Sequence, residues 1–135
     1  DKISICIHMV TANLFYEWRD EGGPGKVRYG IGVQDTDIIS LGGIYKVTWD
    51  DTSKERRTFV ILTTESVGAV KEIHSRTPLI VKQYQWDLWL DNTSPLDLVE
   101  DVIKSNALHR FSIERRNSES KITRRAPRDE QLTLF

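Results

Sequence analysis

Leu14-Phe15-Tyr16-Glu17-Trp18, then Glu21-Gly22-Gly23-Pro24-Gly25, then Val27-Arg28-Tyr29-Gly30-Ile31-Gly32-Val33 read as strand, turn and strand. The glycines tolerate the positive φ that a tight reversal needs, and the flanking runs are rich in aromatic and β-branched residues, so a β-hairpin is predicted. Upstream, Ile3, Ile5 and Ile7 alternate with Ser4, Cys6 and His8, the period-two pattern of a half-buried strand. Downstream, Asp35-Thr36-Asp37 makes a turn, Ile38 to Thr48 a further strand ending near Trp49, and Arg57 to Thr64 a nearly continuous apolar strand predicted to be buried on both faces. Helical signals come later. Ser66 is placed to cap a turn or two through Lys71, and Lys82 to Leu90 carries aromatic residues at near-helical spacing. Ser94-Pro95 reads as a helix start with Leu96, Val99, Val102 and Ile103 along one face. Ala107 to Ile113 reads as a last strand. The predicted class is α+β, mostly antiparallel, with a few short helices.

At 135 residues, 39% of them apolar and 29% charged, the chain suits one domain with a core of its own. A single cysteine, Cys6, excludes an internal disulfide, and no apolar run approaches the roughly 20 residues that span a bilayer, so a cytoplasmic, reducing location without membrane attachment is expected. The net charge of −1 hides an uneven distribution. Between Arg110 and Arg128 stand Arg110, Arg115, Arg116, Lys121, Arg124, Arg125 and Arg128 against only Glu114 and Glu119. Residues 115–135 are therefore expected to form a basic, flexible tail following a domain over 1–114.

Glu17 lies between Tyr16 and Trp18, where partial shielding from water suits a carboxylate to proton transfer, although alternation alone favours an outward-facing strand position. His74, followed by Arg76 and Pro78, falls in a loop after a short helix, where an imidazole can face a cleft or simply lie on the surface. Thr63 and Thr64 offer hydroxyls but are also ordinary strand formers. Trp18, Trp49, Trp86 and Trp89 are most simply packing residues, with one or two available as a platform for a base. Cys6 reads as a small buried hydrophobe, since nothing near it in sequence would lower its pKa. His8, His74 and His109 are too scattered for zinc, and neither glycine cluster has the strand-to-helix setting of a phosphate loop, so neither metal nor cofactor is expected.

Five blocks, taken in order, resemble the SOS-response-associated peptidase (SRAP) family, whose members shield abasic sites in single-stranded DNA. They are Thr11 to Trp18, Gly42 to Lys46, Thr58 to Ser66, Ile73-His74-Ser75-Arg76-Thr77-Pro78-Leu79-Ile80-Val81, and Trp86-Asp87-Leu88-Trp89-Leu90. The resemblance covers about residues 10 to 104. It implies the second half of an SRAP pseudo-barrel, with Glu17 as the acid/base glutamate and His74 as the histidine assisting sugar-ring opening. It implies DNA contacts at Thr63, with Arg76 and Trp18 beside it, and single-stranded DNA carrying abasic sites as the partner of a monomer. In the family a cysteine after the initiator Met closes on the abasic aldehyde through its thiol and free amine. Cys6 cannot replace it, because its nitrogen is tied in a peptide bond, so crosslinking and peptidase-like activity are expected only if the family's N-terminal portion is supplied. Leu14, Lys46 and Thr77 also depart from the family's glycine, glutamate and methionine.

The last five residues, Gln131-Leu132-Thr133-Leu134-Phe135, look like the bacterial sliding-clamp-binding pentapeptide. Gln131 would orient the peptide while Leu132, Leu134 and Phe135 anchor it. The alternative reading for the whole chain is a DNA- and clamp-binding module without catalysis.

Overall fold

The computed structural model describes residues 4–116. The possible clamp motif at Gln131, Leu132, Leu134 and Phe135 and most of the basic tail lie outside the described residues, as does the side chain of Cys6. Among the described residues there are eight strands: β1 (Ser4–Ala12), β2 (Phe15–Arg19), β3 (Val27–Val33), β4 (Ile39–Trp49), β5 (Glu55–Ile61), β6 (Thr63–Glu65), β7 (Arg76–Pro78) and β8 (Phe111–Arg116). They pair antiparallel in two three-stranded sheets, ordered β1-β4-β5 and β2-β3-β8, and a two-stranded ribbon, β6-β7. The mostly antiparallel α+β class is as read from the sequence. Among the described strands these sheets are open rather than one closed ring.

The predicted hairpin is β2 and β3, with Gly22 at φ 76° in its turn. Alternation in β3 puts Tyr29 and Ile31 on one face and Arg28, Gly30 and Gly32 on the other. In the β3–β4 turn Asp35 adopts φ 67° and Thr36 Oγ1 donates to the carbonyl of Ile38 at 2.8 Å. The β4–β5 turn is organised by Asp50, whose Oδ1 accepts from Thr52 Oγ1 at 2.6 Å and from the Lys54 amide at 3.0 Å; these bonds hold its carboxyl below the usual range.

The first sheet and the ribbon meet at a ring of three backbone hydrogen bonds. Gly42 donates to Leu79 at 2.8 Å, Leu79 donates to Leu62 at 2.8 Å, and Leu62 donates to Gly42 at 2.9 Å. A Cβ at Gly42 would come within 2.9 Å of Val81 and 3.0 Å of Leu79 and Trp89, so only glycine allows this approach. Above it, Leu79, Val81, Trp89 and Val102 form one core cluster, joined by Ile7 and Met9 of β1. A second cluster, Ile39, Leu41 and Ile80 with Phe15, Val33 and Phe111, glues the first sheet to the second.

Several local expectations are corrected. The run from Arg57 to Thr64 is not one buried strand: it breaks at Leu62, where the chain passes from sheet to ribbon. Its first part is exposed, with Phe59 68% and Val60 52% accessible, because among the described residues neither face of β5 is covered there. Ser66 does not cap; the short helix α1 (Gly68–Lys71) starts from Val67, and the buried Ser66 Oγ has no partner among the described residues. The span from Lys82 divides into a 3₁₀ turn (Gln83–Gln85) and α2 (Trp86–Leu90). Ser94 donates to the Leu88 carbonyl at 2.7 Å, leaving Pro95 before α3 (Leu96–Ser105). On that helix Val102 is buried while Leu96 is 73% exposed. The last strand reaches Arg116, so Arg115 and Arg116 belong to a sheet. Among the described residues no helix is long and apolar enough to cross a membrane.

Candidate functional site

The ribbon brings together three of the residues singled out in the sequence. Register pairs Thr64 with Thr77 and Glu65 with Arg76, so Thr63, Glu65 and Arg76 share the outward face while Thr64 and Thr77 face the core. Arg76 donates from Nε to Thr63 Oγ1 at 3.2 Å and from Nη2 to the Thr63 carbonyl. Two of its five N–H groups are thus used, and among the described residues the other three have no partner. A guanidinium clamped on one edge and open on the other suits an incoming phosphate.

His74 joins this cluster through the backbone. Its amide bonds to the Val70 carbonyl at 3.0 Å, closing α1. Nδ1 lies 3.1 Å from the Arg76 amide nitrogen and 3.0 Å from the Arg76 carbonyl oxygen. The neutral ring can accept from the amide, and the protonated ring can donate to the carbonyl. The exposed imidazole therefore has a partner in either protonation state and can exchange a proton without being displaced.

The inward face of the ribbon explains its rigidity, and sequence reasoning missed the residue responsible. Asn106, 1% exposed, accepts from the Ile80 amide at 2.9 Å and donates to Thr64 Oγ1 at 2.6 Å and to the Pro78 carbonyl at 3.0 Å. Placed at a helix C-cap, it carries no sequence signal beyond an ordinary helix end.

Glu17 stands on the second sheet. It pairs with Tyr29, and Phe15, Glu17, Tyr29 and Ile31 share one face of the hairpin. This is the face whose Phe15 packs against the first sheet, so the half-buried Glu17 points to the core side rather than outward, the position that alternation alone favours. Among the described residues no hydrogen bond or ion pair joins it to His74 or to any other side chain. Beside it Tyr29 donates to Glu21, which also receives Arg115 Nη2 at 2.7 Å. The tyrosine's hydrogen bond, then the guanidinium, hold the Glu21 carboxyl below its ordinary range, while the Tyr29 hydroxyl and Arg115 are raised by bonding to Glu21. In the sequence Tyr29 is only one step of a strand alternation and Arg115 only one charge of a basic run, so neither signals this contact.

Trp18 lies on the opposite face from Glu17, half exposed, with Tyr16 beside it at a ring separation of 6.4 Å. Arg28 stacks over Tyr16 at 4.9 Å. Trp18 and Glu17 therefore look to opposite sides of an edge strand, β2, and the Thr63–His74–Arg76 cluster belongs to a separate ribbon.

This assembly of short antiparallel sheets has counterparts among known proteins. A family model described as SOS response associated peptidase (SRAP) matches residues 6–118, and the chain belongs to that family. It is 30% identical over 92 residues to the abasic site processing protein YoaM of Bacillus subtilis (strain 168), an alignment covering 67% of this chain and 40% of YoaM. It is 26% identical over 101 residues to the abasic site processing protein YoqW of the same organism, covering 73% and 44%. Among solved structures, a protein from Bacteroides thetaiotaomicron superposes with a TM-score of 0.72 at 27% identity, covering 84% of this chain and 50% of that one. A phage-related protein from Bordetella bronchiseptica, at 21% identity and a TM-score of 0.60 over 83% and 54%, shares the fold. The chain thus spans less than half the length of these curated relatives and about half that of the solved ones.

Proposed function

We propose that this chain binds single-stranded DNA at abasic sites. The observation that carries the reading is the Thr63–Arg76–His74 cluster: a phosphate-ready guanidinium fixed beside an imidazole that keeps a partner through a proton cycle. Family membership and the abasic-site names of YoaM and YoqW supply the substrate class. Arg76 contacts a backbone phosphate, with Thr63 positioning it. Trp18 stacks a base on the outer face of β2 while Glu17, on the inner face, exchanges protons with the sugar, so the strand crosses the sheet at its β2 edge. Covalent crosslinking and peptidase-like chemistry require, in addition, the N-terminal cysteine with a free amine that the family resemblance implies. The terminal Gln131 to Phe135 motif recruits the protein to a bacterial sliding clamp. The protein acts as a cytoplasmic monomer.

Incubation with abasic single-stranded DNA, followed by a denaturing gel, tests the reading. A heat-stable adduct that is lost in Glu17→Gln or His74→Ala supports catalysis. Binding that weakens with salt and leaves no adduct supports the non-catalytic module. Equal affinity for abasic and intact strands would overturn the abasic-site assignment.

A further inference from the structure

The outer face of the second sheet, opposite the one that carries Glu17, holds a hollow of about 350 Å³. The pairing of the strands sets its plan. In one row Tyr16, Gly30 and Glu114 stand side by side, in the next Trp18, Arg28 and Arg116, and on the other side of the first row Gly32 lies opposite Ser112. The two glycines make the floor. Asn13 and Asp37 close the far end, where Asn13 Nδ2 donates to the Asp37 carbonyl at 3.0 Å. Leu14, Tyr16 and Arg116 overhang Gly30, whereas Gly32 is partly open. Neither glycine has a positive φ. A Cβ at Gly30 would meet nothing nearer than 3.6 Å, and at Gly32 only the rotatable Ser112 Oγ, at 3.0 Å, would lie closer than that. Neither backbone nor packing therefore demands glycine at two positions of a strand that glycine weakens; what both supply is open space above the peptide plane.

We propose that this hollow receives one unpaired nucleobase bearing an exocyclic amine (adenine, cytosine or guanine) from the strand that Trp18 stacks; the inference rests on the single-stranded DNA reading above. The polar atoms left over in the hollow select such a base. Asn13 turns Nδ2 to Asp37 and keeps Oδ1 as an acceptor. Glu114 gives Oε2 to Arg116 Nη2 at 2.6 Å and keeps Oε1. The Asp37 carboxylate has no partner among the described residues. Two carboxylates and an amide oxygen call for N–H donors, which an exocyclic amine supplies, whereas thymine presents a carbonyl and a methyl group in its place. The neighbouring row suits the backbone and the next base. Arg28 lies over the Tyr16 ring at 4.9 Å, has its Nε buried without a hydrogen bond, forms no ion pair among the described residues, and stands directly opposite Arg116. A phosphate seated there relieves the repulsion of two cations facing each other across strands. Trp18, 50% exposed in the same row, takes the adjoining base.

The test measures, by fluorescence anisotropy, binding to a short abasic strand whose other bases are all thymine. One thymine at a time, stepping away from the abasic position, is replaced by adenine, cytosine or guanine. At one fixed distance the three amino-bearing bases are expected to bind about fivefold or more tightly than thymine, the discrimination of one well-placed hydrogen-bonded contact. Gly32→Val, which fills the hollow with a residue that suits a strand, should abolish that preference while the all-thymine strand binds as before and the thermal midpoint holds or rises. Glu114→Gln, which trades a carboxylate for an amide, should reduce the preference, and it carries the test if Gly32→Val does not fold. Equal affinity for all four bases at every position overturns the inference and leaves the DNA reading standing. So does a preference that survives in folded Gly32→Val, or one that Glu114→Gln leaves whole. Failure to bind any of these strands overturns both.

Discussion

Asn106 and Thr64 are joined by a 2.6 Å hydrogen bond between side chains that lie 42 residues apart. The bond crosses from the end of α3 to the inward face of the β6–β7 ribbon, and the other two bonds of the same amide hold Ile80 and Pro78. Asn106→Ala is expected to destabilise the protein by about 2–4 kcal/mol, because it leaves buried polar groups without partners. Urea unfolding checks this; a loss below about 1 kcal/mol would show that solvent satisfies those groups instead.

Arg76→Ala should weaken binding to single-stranded DNA and lower the slope of log affinity against log salt by about 0.7, the value for one fewer neutralised phosphate on a single strand. Thr63→Val, which removes only the hydroxyl that holds Nε, should weaken binding less and leave the slope nearly intact. An Arg76→Ala slope equal to wild type would remove Arg76 from the phosphate-binding groups.

Trp18→Ala should cost about 1–3 kcal/mol of binding without changing the salt slope, as expected when a base is deprived of its stacking platform. Fluorescence anisotropy across a salt series separates the two effects. A change in slope equal to that of Arg76→Ala would contradict the stacking role.

Burial pushes the His109 imidazole below its ordinary pKa of 6.5, the hydrogen bond to the Ile80 carbonyl opposing that shift and the nearby Lys82 charge adding to it. The folded state then binds fewer protons at this site than the unfolded state. Its contribution is complete above pH 6.5 and is lost as pH falls through the depressed value. Unfolding free energy should decline on acidification from neutrality toward pH 5, and His109→Gln should flatten that decline. The carboxyls of Asp50 and Asp91, held below 3.8, act only in a more acidic window.

Much of the β framework was legible because period-two alternation is written locally. The β2–β3 hairpin, the Asp35 turn and strand β4 follow from side chains that choose a face within a few residues. What local pattern does not carry is coverage. Arg57 to Thr64 reads as buried because it is apolar, yet exposure depends on what packs over each face, and among the described residues both faces of β5 are left open around Phe59 and Val60. The same reason hid the inward orientation of Glu17: alternation says that Tyr16 and Glu17 differ, not which of them faces another sheet. Asn106 was silent because its partners come from distant segments.

The ring formed by Gly42, Leu62 and Leu79 gives the molecule a transmission. Leu62 serves both the sheet that ends in β5 and the ribbon that begins at Thr63, so β5 cannot slide by a residue without either unhooking Leu62 or dragging Thr63 along. A pull on β5 therefore reaches the anchor of Arg76 through a single intervening residue.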